Sequence, residues 1–549
     1  MTDTTASTIH NGPLGVRLGA LRELVGLSRT RLDDAVLTEA GRVLDEAAAR
    51  DRLPTAYTAV AIAGATGSGK STLFNALAGA QLSESGVRRP TTATAVSCTW
   101  EAGRELPADG LLERLGVPAR ARRRAHVLDP GLRGLILLDL PDHDSVDPAH
   151  REQVDRLLTL VDAVIWVVDP EKYADALLHE RYLRAFAGHA DVSIIVLNQT
   201  DRLPAEAVDA VLDDLRRLLD DHGVALGEHG EPGAGVLPVS ALTGDGIAEL
   251  RQAVGELVAP RTAAARRLAA DVDGVARRLG PLYIADGAEA PAGLTPQARE
   301  DFEDRLAAAV GAPAAGQNAE RAWLRRADRA CGTPWAQALR HLAGRQAERR
   351  GEPAALAAKR AQAGPPAVAA PAVEEAVRRL ADDAADGLPE PWARAVRDAA
   401  RRSADALPGA LAAALADQPT ERLPRPRWWS AAGAGQAFLL AAQILGLCWL
   451  VLALTGQPVV AGWLPVLLLA CGSCGAPLLA WGCRMAARGP ARASGSQEEW
   501  RLRRIAAERG HTHVLEPVAA ELLRYREVRE RYVVAASPTG EAELSRTIR

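Results

Sequence analysis

A glycine-rich stretch with a single lysine is the segment whose residue types and spacing could do chemistry. Residues 58–79, TAVAIAGATGSGKSTLFNALAG, read as an apolar strand, a glycine-rich turn and a helix that begins near Lys70. Backbone N–H groups of such a turn wrap phosphate groups, and the helix N-terminus adds the positive end of its dipole. Lys70 would then reach the β- and γ-phosphates, and Ser71 would ligate Mg²⁺. The predicted loop comprises Gly64, Ala65, Thr66, Gly67, Ser68, Gly69, Lys70, Ser71 and Thr72. The alternative is an ordinary glycine turn.

Two later segments predict the rest of a nucleotide site. The apolar run LRGLILLD ends in Asp139, a carboxylate placed where it could organise Mg²⁺. In NQTD (198–201), the Asp201 carboxylate can accept two hydrogen bonds from the N1–H and amino groups of guanine, which adenine lacks. GTP is therefore the expected nucleotide, and the backbone of SAL (240–242) could bond guanine O6. The predicted base-side residues are Asn198, Gln199, Asp201, Ser240, Ala241 and Leu242.

Apolar strands and helical patterns alternate between residues 56 and 261. Further buried strands are expected within 161–170 and 192–201, each separated from the next by a helical pattern. This alternation predicts an α/β domain with a doubly wound, mostly parallel sheet whose loops gather at the strand ends.

A long uncharged run follows near the end of the chain. The 56 residues between Arg427 and Arg484 carry no formal charge, and about twenty apolar residues span a bilayer. The run therefore predicts a transmembrane hairpin with its turn at 455–458, and a buried hairpin in a soluble core is the alternative. Arginines outside both ends place both flanks in the cytoplasm, and Trp428, Trp429 and Trp481 would lie at that border. Gln436 and Gln443 share one face and could bond across the pair.

The remaining sequence is predicted to be helical, and the whole chain has a small net charge. Residues 14–51, 262–420 and 514–534 show helical periodicity, and the last segment needs partners for its apolar stripe, which the first two could supply in a neck or stalk. The net charge is −4, so no positive field indicates nucleic acid as a partner. The N-terminus lacks a signal-peptide pattern, and six irregularly placed cysteines are typical of a reducing compartment.

The ordered motifs in residues 56–261 resemble the translation-factor-like small GTPases, the branch that contains Era-type proteins and dynamins. The resemblance implies that Gly64 to Ser71 is the first motif, that Asp139 begins the third, and that NQTD and SAL are the fourth and fifth. It also implies that RRPTTATAV (88–96) is the switch loop. Thr92 is then expected to close on Mg²⁺ and the γ-phosphate, and Thr91 is its near rival.

The sequence departs from that pattern in three ways. Asp142 stands where the third motif has a glycine, and this acidic side chain could turn outward or weaken the sensing of GTP. Gln199 replaces a lysine of the fourth motif, which leaves discrimination by Asp201 intact. Thr66 and Gly67 lack the glutamine–serine pair with which eukaryotic dynamins position water. Arg88 or Arg89 as an internal charge stabiliser is a hypothesis only.

The order of elements resembles bacterial dynamin-like proteins, above all the actinobacterial kind with a transmembrane hairpin. The expected parts are an N-terminal tail and neck helix (1–55), a GTPase domain (56–261), a helical stalk (262–427), a transmembrane hairpin (428–483) and a returning C-terminal segment (484–549). The resemblance implies a two-pass protein of the cell (inner) membrane and nucleotide-driven self-assembly through paired heads. It further implies a role at division septa, often beside a sister dynamin-like protein.

Several functions fit these patterns. The leading interpretation is a membrane-anchored GTPase that couples GTP hydrolysis to oligomer rearrangement and membrane remodelling or scaffolding. The alternative is a GTP-binding scaffold or switch with negligible turnover, which Asp142 favours. An RNA-binding GTPase of the Era kind fits the head but leaves the hairpin without a purpose. An ABC-type ATPase shares the loop, but no LSGGQ-like signature follows.

Overall fold

The protein divides into two compact units. The first comprises residues 1–284 and 526–549, and the second comprises residues 285–525. The computed structural model describes residues 12–54, 56–84, 94–102, 108–125, 129–145, 148–227, 232–260, 262–285, 293–339, 368–417, 426–455 and 463–538.

A seven-stranded sheet forms the centre of the first unit, in the order β3-β2-β4-β1-β5-β6-β7. The strands are β1 (Thr58–Gly64), β2 (Val96–Thr99), β3 (Arg122–Arg124), β4 (Leu135–Asp139), β5 (Ala163–Val168), β6 (Ser193–Leu197) and β7 (Gly235–Pro238). Every pairing is parallel except that of β2 with β4. The mostly parallel sheet expected from the sequence is therefore confirmed.

Helices cover the sheet because its central strands are apolar on both faces. All residues of β1, β4, β5 and β6 are buried, as parallel strands between helical layers must be. The helices of this unit are α1 (Pro13–Ser28), α2 (Asp34–Asp51), α3 (Lys70–Ala78), α4 (Asp109–Arg114), α5 (Pro148–Leu160), α6 (Ala205–Asp221), α7 (Ile247–Val258) and α8 (Ala263–Tyr283). Helices α3, α4, α5 and α6 lie between strands along the chain, which is the alternation of a doubly wound domain.

The C-terminal helix returns to the helices that flank the sheet domain, as its apolar stripe predicts. Within the first unit, the Tyr532 ring stacks on Tyr283 with centroids 5.4 Å apart, and its hydroxyl donates to Ala276 O at 3.0 Å. Arg17 Nε donates to Ala535 O at 2.9 Å. These contacts join α1, α8 and the end of the last helix, and they bury side chains that an isolated helix would leave in water.

The second unit is helical in all its described elements. Its helices are α9 (Pro296–Ala309), α10 (Ala312–Cys331), α11 (Ala370–Ala385), α12 (Glu390–Ala404), α13 (Leu407–Ala416), α14 (Arg427–Leu454), α15 (Leu464–Gly510) and the first part of α16 (Glu516–Ala536). Phe302, Leu306, Val377 and Leu502 lie in one fully buried apolar cluster that several of these helices share. At Gly316 and Gly495, α10 and α15 approach so closely that a Cβ on either glycine would lie 2.9 Å from the other's carbonyl oxygen.

Two helices are long and apolar enough to cross a membrane, α14 and the helix that begins at Leu464. The two glutamines of α14 bond across to α15, as their spacing predicts. Gln436 Nε2 donates to Ala476 O at 2.9 Å, and Gln443 Nε2 donates to Ser473 Oγ at 3.1 Å. Trp481 is exposed at the expected border, whereas Trp429 is buried against Trp323. Residues 456–458 of the expected turn lie outside the described residues.

A buried ion pair fixes α2 to the base of the sheet. Arg50 Nη2 contacts Asp162 Oδ2 at 3.0 Å and donates to Tyr57 O at 2.8 Å, and the same carboxylate accepts the Ala59 amide at 2.8 Å. Both side chains are almost fully buried. Their charges are therefore compensated by each other and by the start of β1.

We predict that Asp162→Ala lowers the free energy of unfolding by about 3–5 kcal/mol, because it leaves the Arg50 charge buried without a partner. Denaturant unfolding of the detergent-solubilised protein would measure this. The matched control is Asp213→Ala, which removes an exposed partner of Arg216 and should cost less than about 1 kcal/mol. Equal effects of the two substitutions would contradict the role of the buried pair.

Candidate nucleotide-binding site

The phosphate loop lies between the end of β1 and the start of α3, and close packing requires two of its glycines. A Cβ on Gly64 would lie 2.3 Å from Val167 O of the neighbouring strand. Gly69 has φ 90°, and a Cβ there would lie 2.3 Å from Asn198 Nδ2. Any larger residue would therefore displace β5 or the NQTD loop. The backbone turn has the form of a cradle open at the N-terminus of α3, which fits phosphate groups.

The residues predicted to hold Mg²⁺ meet at one side of this loop. Ser71 Oγ donates to Asp139 Oδ2 at 2.7 Å, and Ser83 Oγ donates to the same oxygen at 2.7 Å. Asp139 is fully buried, its Oδ1 has no hydrogen-bond partner, and burial raises the pKa of its carboxyl group. A buried carboxylate with a spare oxygen beside a hydroxyl is an oxygen donor set of the kind that Mg²⁺ prefers. The chain's own residues thus fit the ion.

The base-side residues converge on the phosphate loop through Asn198. Its Nδ2 donates to Ser68 O at 2.8 Å, and its Oδ1 accepts the Ala241 amide at 3.0 Å. Gln199 has φ 59°, and its Nε2 donates to Gly67 O at 2.7 Å. Two predicted segments, 198–201 and 240–242, which are about forty positions apart along the chain, therefore meet at the phosphate loop.

Two residues of these segments are accessible to a ligand. Asp201 is exposed, and its Oδ1 accepts a hydrogen bond from Ser240 Oγ at 2.7 Å, which orients the carboxylate. Leu242 leaves 80% of its surface exposed. An oriented, accessible carboxylate beside an apolar side chain can bond the edge of a guanine ring and cover its face.

The substituted third motif turns inward and contacts the loop. Asp142 Oδ1 lies 2.5 Å from Lys70 Nζ, which also donates to Ala65 O at 2.9 Å. Asp144 Oδ1 accepts the Thr66 amide at 2.8 Å and lies 2.7 Å from Thr66 Oγ1. Two carboxylates thus bind the lysine and an amide that the sequence assigns to phosphate. The expectation that Asp142 could turn outward is wrong, because the Lys70 charge attracts it.

Hydrogen bonding sets the charge state of Asp144. Burial alone would raise the pKa of its carboxyl group, but the Thr66 hydroxyl and amide donate to it and the net pKa is lowered. Asp144 therefore remains ionised at neutral pH. Asp144 was not predicted from the sequence, although its place two residues after Asp142 was a usable signal.

His143 is a second residue that the motif spacing did not identify. It is buried between the two aspartates, both ring nitrogens lack hydrogen-bond partners, and its ring lies 5.1 Å from that of Tyr182. Burial lowers the pKa of His143 to about 4, and the Lys70 charge adds to this effect. The imidazole is therefore neutral at physiological pH.

Ser83 was also not predicted from the sequence, because no pattern links it to Asp139.

Most of the predicted site residues lie together around the loop. Thr72 lies in the first turn of α3, directly after Ser71. Lys172 adds a contact that was not predicted, since its Nζ donates to Thr66 O at 3.0 Å. Thr92, its rival Thr91 and the arginines Arg88 and Arg89 lie outside the described residues.

Comparison with known proteins agrees with this geometry. The sequence profile of a family described as 50S ribosome-binding GTPase matches residues 59–199. GTPase Era from Erythrobacter litoralis (strain HTCC2594) is 28% identical over 207 residues, which are 36% of this chain. The match spans 55% of that relative, about half of its length.

Solved structures give weaker overall likenesses. A bacterial selenocysteine-specific elongation factor is 20% identical over 37% of this chain and 29% of its own, with a TM-score of 0.24. An oligomerised bacterial dynamin pair is 12% identical over 97% of this chain and 83% of its own, with a TM-score of 0.27.

The sheet, the phosphate loop and the family match define the class of the first unit. It contains a P-loop GTPase domain with similarity to Era in its sequence.

The contact between Asp142 and Lys70 yields a prediction for binding. Asp142→Asn should tighten GTP and GDP binding about tenfold, because a neutral amide competes less well with phosphate for the lysine. Titration of the detergent-solubilised protein with fluorescent nucleotides would measure the Kd. Asp213→Asn on the outer face of α6 is the matched control and should leave the Kd unchanged. An unchanged or higher Kd for Asp142→Asn would show that the carboxylate does not compete.

The buried His143 yields a prediction for pH. Its folded pKa of about 4 lies below the ordinary 6.5, so the unfolded state binds the extra proton first as the pH falls. His143 therefore does not lower the free energy of unfolding above pH 6.5. As the pH falls from 6.5 towards 4, protonation of this histidine in the unfolded state lowers the free energy of unfolding by about 3 kcal/mol. Unfolding of wild type and His143→Leu at a series of pH values would test this. The variant should lose less stability on acidification, and parallel curves would refute the assignment.

Proposed function

We propose that the protein is a membrane-anchored dynamin-like GTPase. It hydrolyses GTP to GDP and phosphate and couples nucleotide-dependent self-assembly to membrane remodelling or scaffolding. The observation that carries this proposal is the combination, in one chain, of a nucleotide site closed by Asn198 and two long apolar helices that remain exposed. The proposed parts are the tail and neck helix (1–55), the GTPase domain (56–261), the stalk (262–427), the hairpin (428–483) and the C-terminal segment (484–549).

Exposure supports the assignment of the two apolar helices to a membrane. Only 11% and 17% of the most apolar windows of the two helices are buried in protein, whereas a core helix of a soluble protein would be mostly buried. Phe438, Leu447 and Leu478 are among the large apolar side chains left exposed on these helices. A bilayer would cover them. The arginines at both outer ends favour a two-pass hairpin of the cell membrane with both flanks in the cytoplasm.

The site residues are proposed to act as follows. Lys70 and the amides of 64–72 bind and neutralise the phosphates, and Asp201 selects guanine with support from Ser240. Ser71, Thr92 and Asp139 hold Mg²⁺, which when bound stabilises the negative charge that develops on the phosphates. Lys70 must exchange Asp142 for phosphate when GTP enters. Asp142 and Asp144 then leave the loop and move the segment that contains them.

A binding switch with negligible turnover is the second candidate function. The Asp142 contact with Lys70 favours it, because this carboxylate already holds the lysine that would bind the γ-phosphate. In that case GTP would control docking of a partner without being consumed. The partners proposed for either function are the lipid bilayer and further copies of this chain that pair through the GTPase heads. A sister dynamin-like protein and the division machinery at the septum are proposed on the family resemblance alone.

Turnover in liposomes at increasing protein surface density separates the two functions. For the assembling enzyme we expect GTP turnover per molecule to rise with density, ATP turnover to stay at background, and Lys70→Ala to abolish activity. Tight GTP binding with background turnover at every density would favour the switch. The control is Asp213→Ala, which should behave as wild type.

Guanine selection by Asp201 can be tested by a swap of hydrogen-bonding partners. Asp201→Asn should weaken GTP binding by about 100-fold, because the carboxylate accepts two hydrogen bonds from guanine. The same variant should gain affinity for XTP, since an amide N–H can donate to the C2 carbonyl of xanthine. Competition binding with GTP, XTP and ATP would measure both changes. Loss of GTP binding without any gain for XTP would indicate disruption of the loop instead of altered recognition.

A further inference from the structure

The chain that follows α10 continues along the first apolar helix, α14, and does not leave it near the N-terminus of α14. Gln436 Nε2 donates to the carbonyl oxygen of Cys331, the last residue of α10, at 3.2 Å. The backbone is extended at Gly332 and is helical again at 334–339. Trp335 Nε1 then donates to Gln443 Oε1 at 3.4 Å. Residues 331–335 therefore contact α14 at two levels seven residues apart.

These two levels lie inside any bilayer that α14 crosses. The helix runs from Arg427 to Leu454, and a span needs about 20 residues. Every stretch of that length within the helix contains both Gln436 and Gln443. Gln443 also lies at least eight residues from the start of any such stretch, which is about 12 Å of helix. The Trp335 indole is thus at the depth of the acyl chains.

Several carbonyl groups of the irregular backbone in this segment have the internal hydrogen bonds that such a depth favours. The last carbonyl groups of a helix have no partner within the helix, and lipid supplies none. Here side-chain amides bind them. Gln436 takes Cys331 O, while Gln337 Nε2 donates to Arg329 O at 3.0 Å and to Gly332 O at 2.9 Å.

Charge and exposure change at the same place. The segment CGTPWAQAL (331–339), between Arg329 and Arg340 in the sequence, has no charged residue, and Trp335 and Leu339 leave 61% and 67% of their surfaces exposed. Just before it, Arg325, Arg326 and Arg329 are exposed on α10. Asp328 pairs with Arg484, the first charged residue after the apolar run, at 2.8 Å. The charged residues of α10 and of α15 therefore end at the same level, near the Asp328–Arg484 pair.

We infer that residues 331–339 form a third membrane-embedded segment, which lies against α14 and presents Trp335 and Leu339 to lipid acyl chains. The inference rests on the proposed function, because it requires α14 to cross the bilayer. The segment couples movement of α10 to the packing of the acyl chains around α14.

Spin-label accessibility in liposomes tests the inference. The exposed cysteines Cys448, Cys471 and Cys474 are replaced by alanine, and the full-length chain carries one nitroxide at Leu339→Cys or, as a second position, at Ala338→Cys. The protein is reconstituted in equal parts of phosphatidylglycerol and phosphatidylethanolamine. Power saturation with oxygen, which partitions into lipid, and with a water-soluble nickel chelate then reports the surroundings of each label. Phe438→Cys on α14 is the lipid reference, and Arg321→Cys on α10 is the water reference.

We expect the oxygen-to-nickel accessibility ratio at both segment positions to lie within about twofold of the Phe438 label and about tenfold above the Arg321 label. A ratio close to that of the Arg321 label, with the Phe438 label in lipid, would overturn this inference alone. Low accessibility to both reagents would overturn it in favour of a protein contact. A Phe438 label in water would instead refute the membrane hairpin of the proposed function.

Discussion

The arrangement of the nucleotide site depends on the two hydrogen bonds of the Asn198 side chain. One reaches the carbonyl of Ser68 in the phosphate loop, and the other takes the Ala241 amide in the loop after β7. Because Asn198 is buried at the end of β6, both loops are tied to the centre of the sheet. Gly69 must be a glycine for the same reason, since a side chain there would collide with the Asn198 amide. Phosphate binding and base recognition are thus mechanically joined before any nucleotide enters.

The acidic residues beside the loop change what nucleotide binding has to accomplish. In a loop whose lysine has no carboxylate partner, a bound phosphate forms a new ion pair with the lysine and breaks no existing one. Here Lys70 is already paired with Asp142, and the Thr66 amide with Asp144. The net gain on binding is the difference between two sets of charge-assisted hydrogen bonds, which is smaller than the set formed with the phosphates. In the proposed mechanism the displaced carboxylates would need other partners or water, and part of the binding energy would go into movement of residues 142–144.

The local elements and motifs could be predicted from the sequence, whereas several long-range contacts could not. Runs such as residues 58–64 and 193–197 are apolar after their first residue, and their alternation with helical patterns leaves few topologies open. The pairing of Asp142 with Lys70 was missed because an acidic substitution in a loop has no periodicity that fixes its direction. Trp429 was expected in a lipid border on composition, but Trp323 from a helix a hundred residues earlier covers it. The partners of these side chains depend on which helices pack together, and residue spacing alone does not predict that packing.

The helix α15 gives the second unit a direct mechanical path from its apolar hairpin to its helical core. Its 47 residues span about 70 Å without interruption of the helix, although Pro477 and Pro490 lie within it. Rotation of this helix about its own axis is opposed at the Gly316–Gly495 crossing, where the two backbones are in contact. Sliding is opposed by the Asp328–Arg484 pair and by the Gln443–Ser473 bond. The position of α15 is therefore coupled to that of α10 through the glycine crossing and the Asp328–Arg484 pair.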